Sequence, residues 1–134
     1  MKKAFSILAI FVFLFTLSFL RGLSQGVDLS GTWKGTTEIP DLQDVDEITL
    51  ILTRTAEVYK GTISDSFGFA QNEEIEDIEF EDNNFSFSFA IFDGAEYMRV
   101  FMNLTIDSED SLSGYWELED GSSSSIELKK INQQ

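Results

Sequence analysis

The residue types that do covalent and metal chemistry are scarce in this chain. It contains no histidine and no cysteine. That removes Ser-His-Asp and Cys-His nucleophilic machinery, together with the usual zinc ligands. There is no glycine-rich phosphate loop either. Gly31, Gly35, Gly61 and Gly114 stand apart from one another, and on strands they read as relief of crowding at bends or beside tryptophans. Carboxylates are the exception. With 24 acidic residues, almost any two could be offered as the acid and nucleophile of a glycosidase-like site. Asp41, Asp44, Asp46 and Glu47 crowd one connection, and Asp107, Glu109 and Asp110 another. Either group could be asked to hold calcium, but neither has calcium-loop spacing. Charge runs of this kind read as solvated surface. We expect no enzyme, no metal and no cofactor; a buried carboxylate pair in a cleft would argue the other way.

The remaining chemistry is non-covalent, and apolar residues carry it. Phe67 and Phe69 fall in a loop, and Phe92 and Tyr97 flank a tight turn. Leu50, Phe87, Met102 and Trp116 occupy inward positions of alternating segments. Together they could line a pocket for an apolar small molecule, with Phe67 and Phe69 as its gate. The competing reading is a barrel filled by its own side chains. The mouth aromatics would then plug the barrel or dock onto another protein.

Strands must position these residues. Apolar residues alternate with period two after residue 30, and turn residues separate the runs. Eight strands are expected, over 31–38, 47–54, 57–64, 75–81, 85–91, 95–106, 112–118 and 124–131. The 85–91 run is the clearest: Phe85, Phe87, Phe89 and Ile91 alternate with Ser86, Ser88 and Ala90. Asp93-Gly94 after it is a hairpin signal. The 39–46 connection holds the only proline, Pro40, and its Ile39, Leu42 and Val45 recur at helical spacing. A short helical turn is expected there. Eight consecutive strands with short connections suggest an up-and-down antiparallel barrel, which closes away its edges. A two-sheet sandwich is the alternative. In the barrel, the 39–46 and 66–74 loops share one end, which would be the mouth, and Trp33 marks the floor.

The first residues are not part of that domain. Lys2 and Lys3 precede an uncharged apolar run that ends at Arg21. This is the layout of a secretory signal peptide, with cleavage expected after Ser24. A retained segment would instead anchor the protein, since the run approaches the ~20 residues that span a bilayer. Residues 25–134 form the domain. Without Lys2, Lys3 and Arg21, six basic residues face 24 acidic ones, a net charge of −18. Such a surface repels phosphate backbones, so nucleic acid is not an expected partner. Without disulfides, the core alone must hold an exported domain together. The expected location is secreted or periplasmic, and the expected partners are an apolar small molecule or an envelope protein.

The pattern resembles the calycin group of small barrels, lipocalins foremost. The likeness rests on Gly31-Thr32-Trp33 opening the first strand, eight strands in simple order, and the long first connection. In lipocalins a basic residue on the last strand packs across the tryptophan at the closed end. Parity with Ile126 and Leu128 assigns that place here to Lys130, where the family usually has arginine. The resemblance implies a structural role in barrel closure for Gly31, Trp33 and Lys130, and an apolar ligand within. Avidin-like barrels share the Gly-x-Trp start, but this chain has only two tryptophans, Trp33 and Trp116, too few for their pocket.

Overall fold

The computed structural model describes residues 27–131; the expected signal peptide lies outside the described residues. In chain order come β1 (Gly31–Ile39), β2 (Asp44–Thr55), β3 (Val58–Asp65), β4 (Glu73–Glu74), β5 (Glu76–Glu81), β6 (Asn84–Phe92), β7 (Tyr97–Ser108), β8 (Ser111–Leu118) and β9 (Ser123–Lys130). They form one antiparallel sheet in the order β4-β3-β2-β1-β9-β8-β7-β6-β5. The two edge strands of this sheet, β4 and β5, follow one another in the chain and are separated by Ile75. The chain leaves one edge there and takes up the other. Glu73 and Glu74 pair with Ile63 and Thr62, the Ile75 N–H donates to the Gly61 carbonyl at 3.1 Å, and Glu76 pairs with Ser88. The result is a nearly closed barrel.

Nine strands stand where eight were expected, because Glu73 and Glu74, expected at the end of a loop, pair with β3 as a short strand of their own before β5 begins at Glu76. Asp77 adopts a left-handed conformation at φ 51°, and the register with β6 slips between Glu76 and Glu79. A bulge of this kind bends and twists a strand. Here it falls within β5, just after the chain has passed from one edge to the other at Ile75.

The helical turn expected over 39–46 is also absent. β1 and β2 pair in unbroken register out to Ile39 and Asp44, leaving only Pro40, Asp41, Leu42 and Gln43 to turn the chain. Asp41 and Gln43 take positive φ, and the Leu42 N–H donates to the Ile39 carbonyl at 3.3 Å. Leu42 and Val45 are exposed. With no apolar surface beneath them, nothing rewards a helix, and the ladder hydrogen bonds prevail.

The floor is densely filled. Trp33, Leu29, Leu50, Leu52, Phe85, Leu104, Leu112 and Leu128 are buried there or in the adjoining core, each large apolar side chain contributing about 1.5–3 kcal/mol. The Trp33 indole N–H donates to the Leu29 carbonyl at 2.9 Å, so its polar edge is satisfied inside the core. The segment before β1 crosses the base. Tyr59 holds it, its hydroxyl accepting from the Leu29 N–H at 3.0 Å and donating to the Val27 carbonyl at 3.3 Å. Tyr59 also stacks on Phe80 across the seam between β3 and β5, with ring centroids 6.0 Å apart. Aromatic packing thus closes the barrel where β3 and β5 do not pair.

Two glycines permit the strands to coil this closely. A Cβ on Gly35 would overlap the Glu127 carbonyl oxygen of β9, and one on Gly114 the Asn103 carbonyl oxygen of β7.

Candidate binding cavity

Packing is full at the Trp33 end and incomplete at the other. There, among the β1–β2, β3–β4, β6–β7 and β8–β9 connections, a cavity of about 210 Å³ remains. Its wall is mainly apolar, with Ile48, Ile63, Phe89, Met98, Val100 and Leu118 among the contributors. The size has a meaning. A bound water takes up ~30 Å³ and an engineered void of ~150 Å³ holds benzene, whereas drug-sized ligands need ~300–1,000 Å³. The space suits one ring or a short chain.

The residues singled out from the sequence divide between cavity and core. Phe69, Met102 and Trp116 line the cavity. Leu50 and Phe87 do not. Leu50 pairs with Trp33 across β1 and β2 and is fully buried in the floor. Phe87 is buried in a row between Phe85 and Phe89, with centroids 5.4 and 6.2 Å away. Phe67 is exposed and lies outside the cavity wall, tilted against Phe69 at 6.1 Å. At the opposite end the Lys130 ammonium sits 5.7 Å from the Trp33 ring centroid. Gly31, at φ 133°, leaves room for it, since a Cβ there would come within 2.7 Å of Lys130 Cε.

Polar groups in the wall were not singled out from the sequence as binding residues. Thr37 is buried; its hydroxyl accepts from the Trp116 indole N–H at 2.7 Å and donates to the Ser125 carbonyl at 2.7 Å. Asp46 was read as part of an acidic surface loop. It is instead a buried residue of β2, 5 % exposed, opposite Thr37 in register. Its Oδ1 accepts from the Ser66 N–H at 2.9 Å and the Ser66 hydroxyl at 2.8 Å. Asp65, at the end of β3, accepts from the Phe67 and Ala70 N–H groups at 3.1 and 2.6 Å and so shapes the loop that carries Phe69. Burial pushes the Asp46 carboxyl up to about 6, and the neighbouring Asp65 carboxyl adds to the shift. Asp93, from the β6–β7 turn, also borders the space. Two backbone N–H groups, of Glu96 and Ala95, hold its carboxyl below the usual range.

A signal for these groups was present. Asp46 continues the inward phase of Ile48, Leu50 and Leu52, and Asp65 that of Ile63. Extending each alternation by two residues points both carboxylates inward. Among the described residues no group of three or more acidic side chains gathers as a metal site would require. No family model, curated protein or solved structure matches this chain.

Proposed function

We propose that this protein is an exported, lipocalin-like, non-catalytic barrel that binds a small apolar molecule at its hollow end. The observation that carries the reading is the cavity of about 210 Å³, walled by aliphatic, methionine and aromatic side chains. A space of this size lined mainly by apolar side chains can accept a small apolar guest. Export rests on the charged, apolar and small-residue layout of residues 1–24. In this reading Phe69, Met102 and Trp116 supply contact area, and Phe67 backs Phe69 at the rim. Trp33, Lys130 and Gly31 keep the far end closed.

The Asp46–Asp65 pair is the kind of arrangement from which acid–base catalysis is built. Both carboxylates, however, already hold the Ser66–Ala70 segment in place. That favours a binding wall over a reacting centre. A second reading draws on the rim. Phe92 and Tyr97 pack together at 4.9 Å and are 43 % and 73 % exposed, a patch suited to docking on an envelope protein.

Native mass spectrometry of the protein purified from its source separates these readings. A retained small molecule, with a raised melting temperature on adding monocyclic or short-chain lipophiles, supports the cavity. No retained mass and no shift across such a panel overturns it in favour of the docking surface.

A further inference from the structure

The wall of the cavity is apolar, but its charge has one sign. Asp46, Asp65 and Asp93 border it, and among the described residues no lysine or arginine does. Resting on the binding function proposed above, we infer that the natural ligand is a small cationic amine, its ammonium group held at Asp46 and its apolar body lying against Phe69, Met102 and Trp116.

Three features carry this. First, Asp46 is a carboxylate 5 % exposed on the wall of an apolar space. Among the described residues, its two hydrogen bonds both fall on Oδ1, and no cationic side chain bonds to it. A buried carboxylate without a cation is costly unless a proton or a positive charge joins it. Second, the groups facing it supply neither. They are the Thr37 hydroxyl from β1, the Asp65 carboxyl and the Ser66 hydroxyl and N–H from the end of β3, with Asp93 bordering the same space. In the empty protein a proton fills the role only below about pH 6, and above it the carboxylate stands without a counter-charge among the described residues. Third, an amine can supply the missing positive charge while an apolar tail fills the rest of the space. A fatty acid or other anion would meet three carboxylates and, among the described residues of the wall, no counter-charge.

The exchange is balanced. Above about pH 6 the ammonium pairs with the ionised Asp46 carboxylate and no proton moves; below it the Asp46 proton must first leave to solvent, and no carbon or nitrogen bond changes in either case. Amine binding therefore weakens as pH falls through 6, by about tenfold per unit once Asp46 is protonated, since alkylammonium groups themselves titrate only near ~10. Binding of a neutral ligand does not follow this course.

The test uses three probes of one shape on the exported protein: phenethylamine, 2-phenylethanol and phenylacetate, each titrated by calorimetry between pH 5 and 8. The inference expects the amine to bind at least about tenfold more tightly than the alcohol at pH 7.5, since its hydrogen bond is charge-assisted. It expects the acid not to bind, and the amine advantage to shrink toward pH 5. Asp46→Asn keeps an oxygen for Ser66 and removes the charge. It should bind amine and alcohol equally and lose the pH dependence, with an unchanged circular dichroism spectrum. Alcohol bound as tightly as amine by the wild type overturns the amine inference and leaves the apolar-cavity reading standing. A variant that keeps the amine preference also overturns it. Binding of none of the three probes overturns both.

Discussion

The Trp116 indole N–H donates to the Thr37 hydroxyl at 2.7 Å, and that hydroxyl donates onward to the Ser125 carbonyl at 2.7 Å. Trp116 lies on β8 and Thr37 on β1, with β9 between them. The chain of bonds therefore runs beneath one strand and fixes the indole in the cavity wall. Thr37→Val keeps the shape and removes both the acceptor and the donor. We expect a loss of about 1–3 kcal/mol in urea unfolding, the cost of leaving a buried polar group unmatched. Thr37→Ser should recover most of it. Equal stability of all three proteins would show that the bond contributes nothing.

Trp33 is fully buried, and its N–H is satisfied within the core. Trp33→Ala should cost about 3–5 kcal/mol, as truncation of a core aromatic does. Lys130→Met, which removes the charge above the ring but keeps a flexible apolar stem, should cost no more than about 1 kcal/mol, the scale of an exposed cation–π contact. Chemical denaturation of both variants checks the order. If Lys130→Met proved the more damaging, the floor would be held by the lysine rather than the indole.

Gly35 lies where β1 meets β9, with the Glu127 carbonyl in the space a Cβ would occupy. Gly35→Ala must push these strands apart. We expect a loss of about 1–3 kcal/mol, as for other overpacked sites. Gly94→Ala is a control for the loss of a glycine: nothing lies within reach of a Cβ there, and only its φ of 101° resists the change. A milder effect at Gly35 than at Gly94 would contradict the close approach.

Asp46 titrates at about 6 in the folded protein, against an ordinary 3.8. The folded state holds this proton more tightly than the unfolded chain does. The contribution is thus fully present below 3.8 and is lost as pH rises through about 6. Asp28, Asp93 and Asp120 are shifted the opposite way, by the N–H groups of Ser30, Glu96 and Ser122 respectively. Their contributions fade only as pH falls below the ordinary carboxylate range. Unfolding midpoints measured from pH 4 to 8 should therefore decline for the wild type relative to Asp46→Asn. Parallel profiles for the two proteins would mean that Asp46 has an ordinary affinity for its proton.

Period-two alternation made most of the barrel legible, because each buried face leaves an apolar residue at every second position. Phe85, Phe87 and Phe89 are all buried, as their spacing required. Alternation reports which way a side chain points, not its height along the barrel. Leu50 and Met102 both point inward, yet Leu50 sits level with Trp33 in the filled floor and Met102 borders the cavity. Only strand register separates them. The break at Ile75 was hidden for a related reason: a strand that changes partners keeps its pattern while its hydrogen bonds move from Gly61 to Ser88. Asp46 and Asp65 were missed because acidic residues at strand ends ordinarily face solvent. Their inward phase outweighs that habit here, since the neighbouring backbone and Ser66 meet their oxygens.

The most direct test of ligand binding at the hollow end is a methyl NMR titration of protein labelled at methionine. Beyond Met1, the methionines are Met98 and Met102, and both line the cavity. Adding a monocyclic apolar ligand should shift both methyl resonances saturably, together with the Trp116 indole N–H. Unmoved Met98 and Met102 signals, with changes confined to Phe92 and Tyr97 on the rim, would contradict binding within the barrel.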